Sequence, residues 1–100
     1  MTETVRIPQI EDIGAALEVY YGRLTLTNAD IRRLFGRNLA NGTVARLRRL
    51  AREKSDEMGI IPTNPATVST AAAYAAWGLD VEEMERRWRG LQRVRKAAAR

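Results

Sequence analysis

Residues 26–54 read LTNADIRRLFGRNLANGTVARLRRLAREK, and this stretch predicts two helices joined by a turn. Thr27 stands three residues before Asp30. Its hydroxyl can cap the start of a helix while the carboxylate answers from the first turn, the reciprocal arrangement of a capping box. Ile31, Leu34 and Phe35 then fall at i, i+3 and i+4 on one face, with Arg32 and Arg33 pointing elsewhere. Gly36 is expected to end the helix, because glycine takes the left-handed conformation without steric cost.

The second helix is expected over about residues 42–54, with Asn38 and the Asn41-Gly42-Thr43 run as turn and N-cap residues. Val44, Leu47, Leu50 and Ala51 recur at helical spacing and predict the inward stripe. On a wheel of about 100° per residue, the opposite side gathers Gly42, Ala45, Arg46, Arg49 and Glu53, with Asn41 and Arg52 at its edge. A major-groove reader needs these properties: small positions that let a helix approach, an early Asn or Thr, and arginines that fork onto guanine or phosphate. Arg46 and Arg49 are the candidate groove readers. Asn41 and Thr43 are the candidates for base or phosphate contact at the helix start, and Arg32, Arg33, Arg37 and Arg52 for the phosphate backbone.

LTNADIRRLFG followed by TVARLRRL resembles the helix-turn-helix of small DNA-binding proteins of phages and mobile elements, including excisionase-like and MerR-like regulators. The resemblance covers about a third of the chain and rests on Leu26, Thr27, Gly36 and Val44. It departs from the pattern at Arg32, where a small alanine is usual, and in a turn about two residues longer than the common spacing. It implies sequence-specific binding of double-stranded DNA by a transcriptional regulator or an excisionase-like factor.

One hundred residues suffice for one small domain, expected over residues 9–91 between a disordered tail at 1–8 and a basic extension at 92–100. The chain has no cysteine and no histidine, which removes disulfides, thiolate chemistry and histidine general bases; no metal site, cofactor or enzymatic activity is expected. No apolar run approaches the roughly 20 residues of a membrane span, and the Met-Thr-Glu-Thr start is unlike a secretory signal. A cytoplasmic protein without a membrane partner is expected.

The net charge of +5 conceals four blocks. Residues 1–31 carry −3, residues 32–54 carry +7, residues 55–85 carry −6 and the last fifteen carry +7. Two separate basic segments can each meet a polyanion, while the acidic ones should face away from it.

Along the rest of the chain, Ile10, Ile13, Leu17 and Tyr20 predict a core helix over residues 9–21 stopped by Gly22, and Leu24 and Leu26 allow a short strand. After residue 54 the second helix has room for another turn until Gly59. Residues 60–68 read either as a wing, from Ile60-Ile61, a Pro62-Thr63-Asn64-Pro65 turn and Ala66-Thr67-Val68, or as a loop, since two prolines remove ladder donors. Ser69 or Thr70 caps a short helix whose Tyr74 and Trp77 should plug the core. Asp80 caps a last helix with a Val81, Met84, Trp88, Leu91 seam, beyond which the chain should either fray or lie along an anionic partner. The predicted fold is therefore mainly α, a helix-turn-helix bundle of about five helices with a short β-wing as the open feature.

The leading function is double-stranded DNA binding, with a homodimer compatible. The alternative is a small phage-borne inhibitor that turns the same charge blocks toward a host protein.

Overall fold

Asp12 starts the first helix. Its Oδ1 accepts from the Gly14 amide at 2.8 Å and the Ala15 amide at 3.4 Å, so α1 spans Ile13–Gly22. That is four residues later than the apolar spacing suggests. The preceding segment is drawn off instead to the end of the second helix, where the Glu11 amide donates to the Leu34 carbonyl at 3.2 Å. Gly22 is the last helical residue and has no positive φ; Arg23 ends the helix by taking extended backbone.

The computed structural model describes residues 7–61 and 64–98. Its elements run α1, β1 (Thr25–Leu26), α2 (Asn28–Phe35), α3 (Asn41–Glu57), β2 (Val68–Ser69), α4 (Thr70–Ala76) and α5 (Val81–Ala98). Among the described residues the fold is mainly helical, five helices with one two-stranded antiparallel sheet. Thr25 pairs with Ser69 and Leu26 with Val68, so the strand ahead of α2 is closed by the strand that follows α3. Ile60 and Ile61 lie outside this sheet, and of the expected 62–65 turn, residues 62 and 63 fall outside the described residues, as do residues 1–6 of the tail expected over 1–8. Ile7 packs against the core.

The core gathers one face from each of α1 to α4: Ala16 and Val19, Ile31, Leu34 and Phe35, Val44, Leu47 and Ala51, then Ala73, Tyr74 and Trp77. Tyr74 of α4 and Trp77 at its C-cap are buried with their polar atoms satisfied. Tyr74 donates its hydroxyl to the Ala16 carbonyl at 2.7 Å, and Trp77 donates its indole N–H to the Leu47 carbonyl at 2.9 Å. Trp77 also meets Phe35 edge to face, with centroids 5.3 Å apart. Burial, reinforced by the nearby Asp30 carboxylate and Tyr20, pushes the Tyr74 phenol above its ordinary value and keeps it neutral.

Helix α5 docks on α1 through Met84, which is buried, and Trp88, which is half-buried against Gly14. A Cβ at Gly14 would come within 3.0 Å of the indole ring, so that glycine admits the docking. Leu91, expected in the seam, is exposed, as is every residue from 91 to 98. The chain there does not fray, one of the two expectations for it, but stays helical past the body of the molecule, which measures 50 × 27 × 25 Å. Its Arg, Lys, Gln and Ala residues are strong helix formers, the basic end suits the negative pole of the macrodipole, and Glu83–Arg87 at 3.0 Å and Glu85–Arg89 at 3.9 Å stitch the preceding turns.

Truncating Trp77 to alanine should cost about 3 to 5 kcal/mol, enough to unfold a domain of this size, whereas Trp88→Ala should cost about half of that because its ring already meets solvent. Denaturant melts of the two variants provide the comparison. Equal losses would mean that α5 belongs to the core as fully as α4 does.

Candidate nucleic-acid interface

The capping box forms as the sequence requires. The Thr27 amide donates to Asp30 Oδ2 at 2.9 Å, the Asp30 amide donates to Thr27 Oγ1 at 3.4 Å, and Arg23 sits 3.5 Å from the same buried carboxylate. Gly36 closes α2 with φ +135°, a backbone that side chains rarely adopt, and a Cβ there would press on Glu11 Oε1 at 3.2 Å. Residues 36–40 then make a five-residue turn, longer than the three or four residues usual in this motif.

Helix α3 starts at Asn41, with Ala40 as its N-cap and no side-chain cap. The expectation that residues 41–43 form the cap is corrected here, because the Asn41 carboxamide is engaged elsewhere: Arg32 donates to Asn41 Oδ1. The helix continues through Ser55 and Asp56 to Glu57, and Gly59 follows with φ +72°. Ser55 is buried and donates its hydroxyl to the Ile60 carbonyl at 3.2 Å, which turns the chain away from the helix axis. Val44, Leu47 and Ala51 are buried and Leu50 half-buried, so the inward stripe stands as read.

The opposite face is open. Gly42, Ala45, Arg46 and Arg49 are all exposed, and neither arginine has a hydrogen bond or ion pair among the described residues. Arg37, in the turn, is likewise exposed and unpaired among the described residues. Glu53 and Asp56 occupy the far end of the same face, so its first two turns are basic and its last turns acidic.

The other candidates are differently placed. Arg33 donates to Glu18 Oε2 at 2.8 Å on the surface, joining α2 to α1. Arg52 is half-buried and donates to the carbonyls of Pro65 at 2.6 Å and Thr67 at 3.3 Å, holding the connection to β2 against α3. Arg48, one turn earlier and not among the sequence candidates, donates to the same Pro65 carbonyl at 3.2 Å. Its spacing of four from Arg52 along one helix edge was the available signal. Thr43 is half-buried on the inner side of the first turn, between the directions of Leu47 and Leu50, and does not share the face of Arg46 and Arg49. The structure thus joins Arg32 to Asn41 at the start of α3, leaves Arg46 and Arg49 exposed along its outward face, and assigns Arg52 to the scaffold.

An apolar cleft of about 300 Å³ lies beside the C-terminal half of α3, lined by Leu24, Ile60, Ile61 and Val68 together with Arg52 and Asp56, and neither Arg46 nor Arg49 lines it. Among the described residues no helix is long and apolar enough to cross a membrane. Comparisons with protein-family models, curated proteins and solved structures return no match.

Replacing Arg52 with alanine should free the 64–67 turn. The Ala66 amide, held at 2.9 Å by Asn64 Oδ1, and the Thr67 amide, held at 3.1 Å by the Asn64 carbonyl, should then exchange faster with solvent. Stability should fall by about 1 kcal/mol. Arg46→Ala and Arg49→Ala should each stay within about 0.5 kcal/mol of the parent and leave those amides unchanged; a stability loss as large as that of Arg52→Ala would reveal a structural role for the outward pair.

Proposed function

We propose that the protein binds double-stranded DNA sequence-specifically with α3 in the major groove, as a cytoplasmic transcriptional regulator or excisionase-like factor of a phage or mobile element. The observation that carries this reading is the pair Arg46 and Arg49, exposed on one face of α3 beside Gly42 and Ala45 and neutralised by nothing among the described residues. A folded protein gains little by clustering unpaired guanidinium groups on one helix face, whereas a polyanion rewards it.

The groove is about 12 Å wide, and the small residues at 42 and 45 let the helix backbone approach the base edges. Each arginine can then fork onto the O6 and N7 of guanine. Glu53 and Asp56 at the far end of the face would be repelled by phosphate, so α3 enters by its N-terminal half. Because Arg32 holds the Asn41 carbonyl oxygen, the exposed side chain's amide nitrogen remains as a donor for a base or a phosphate oxygen. Arg37 reaches the backbone from the turn, and Arg33 can exchange its exposed Glu18 partner for a phosphate.

The test begins by selecting a preferred site from a pool of random duplexes. The Arg46→Ala/Arg49→Ala protein, folded by circular dichroism, should then bind that site no better than random duplex, each lost bidentate contact costing roughly 1 to 3 kcal/mol. A double variant that keeps the parental ratio would remove α3 as the reader. Binding that neither selects a site nor weakens with salt would favour the protein-inhibitor alternative.

A further inference from the structure

Helix α5 carries a second basic surface that the α3 reading does not use. Arg86, Arg89, Arg93 and Lys96 recur at three, four and three residues, and on a wheel of about 100° per residue they fall within roughly 80° of one another. All four are exposed. Val81, Met84, Trp88 and Leu91 form the seam on the other side, of which Met84 and Trp88 rest on α1. The basic line therefore points away from the body, and about 15 Å of helix separates its ends at a rise of about 1.5 Å per residue.

Neutralisation of α5 is uneven along its length. Arg87 and Arg89 are answered by Glu83 and Glu85 one turn earlier, but no Asp or Glu follows Glu85 in the sequence, and Arg86, Arg93 and Lys96 on the stripe, like Arg95 off it, have no partner among the described residues. Residues 91–98 are all exposed, Leu91 more covered than Val94, so core packing contributes little to a helix there. An anionic partner would both neutralise the stripe and reward its straightness.

We propose that this stripe is a second nucleic-acid surface, a track of Arg86, Arg89, Arg93 and Lys96 that binds the phosphate backbone of duplex DNA flanking the site read by α3, without regard to sequence. The proposal rests on the DNA-binding reading of α3. It differs from a loose cationic tail in that only one face of the helix contributes. A membrane surface fits less well, because the apolar side that would have to enter the lipid is partly covered by α1.

The experiment compares two charge-matched variants of the full chain, Arg86→Gln/Arg93→Gln on the stripe and Arg87→Gln/Arg95→Gln off it. Gln is close to Arg in helix propensity, and melting temperatures establish that both fold. Binding is titrated against salt on random duplex and on the selected site. The on-stripe variant should weaken both duplexes by the same factor, keep the parental ratio between them, and lose a little under one unit of salt slope per missing phosphate contact, about two in all. The off-stripe variant should keep most of the slope. Equal losses in the two variants would overturn the track, since overall charge alone would then account for the effect. Binding to vesicles of anionic phospholipid that the on-stripe variant loses while its duplex slope is unchanged would overturn it in favour of a membrane. Failure of the α3 reading looks different: the parent protein itself would show no preferred site.

Discussion

Trp77 and Tyr74 hold four helices in one arrangement. The indole N–H reaches the Leu47 carbonyl of α3 while its ring meets Phe35 of α2 edge to face, and one turn away the phenol reaches the Ala16 carbonyl of α1. Hydrophobic burial alone is not directional, but each ring also has one polar atom that must find a partner inside the core, and each finds a backbone carbonyl on a different helix. Trp77, at the C-cap of the seven-residue α4, thereby fixes α2 against α3. The outward face of α3 is consequently presented by a rigid support, which is the condition for placing arginines to within the tolerance that groove recognition needs.

Around that frame the cations divide by what they touch. Arg23 answers the buried Asp30, Arg33 bridges to Glu18, Arg48 and Arg52 hold the Pro65 carbonyl, and Arg87 and Arg89 pair with glutamates a turn before them. Arg37, Arg46 and Arg49 around α3, and Arg86, Arg93 and Lys96 along α5, are exposed and uncommitted among the described residues. The net charge of the chain thus says less than its division into scaffold cations and free ones, and apart from Arg37 in the turn and Arg95 the free ones lie on one face of α3 and one of α5. The Arg52 clamp also explains how a connection bounded by prolines stays close to α3 without forming a hairpin of its own: guanidinium donors replace the ladder hydrogen bonds that such a segment lacks.

Much of this was legible in the sequence where the determinant is local. The Thr27–Asp30 box, the stop at Gly36, the inward stripe of Val44, Leu47 and Ala51, the extension of α3 to the turn before Gly59, and the aromatic plug of α4 each depend on residues within a turn or two of one another or on simple periodicity. The outward placement of Arg46 and Arg49 follows from the same periodicity.

What only the tertiary structure decided are the choices among partners that lie far apart in the chain. Asn41 can cap a helix or accept from Arg32, and the approach of α2 to α3 selects the second. Arg52 can face a phosphate or a carbonyl, and the return of the chain through residues 65–67 supplies the carbonyl. Thr25 and Leu26 have no sheet until Val68 and Ser69 arrive beside them. Residues 9–12 continue an apolar spacing, yet the Leu34 carbonyl and the Asp12 cap start α1 after them. Periodicity determines which side of a helix is apolar because that depends only on about 3.6 residues per turn; which polar group each arginine or asparagine meets depends on where another helix has been packed, and that is set by the aromatic core.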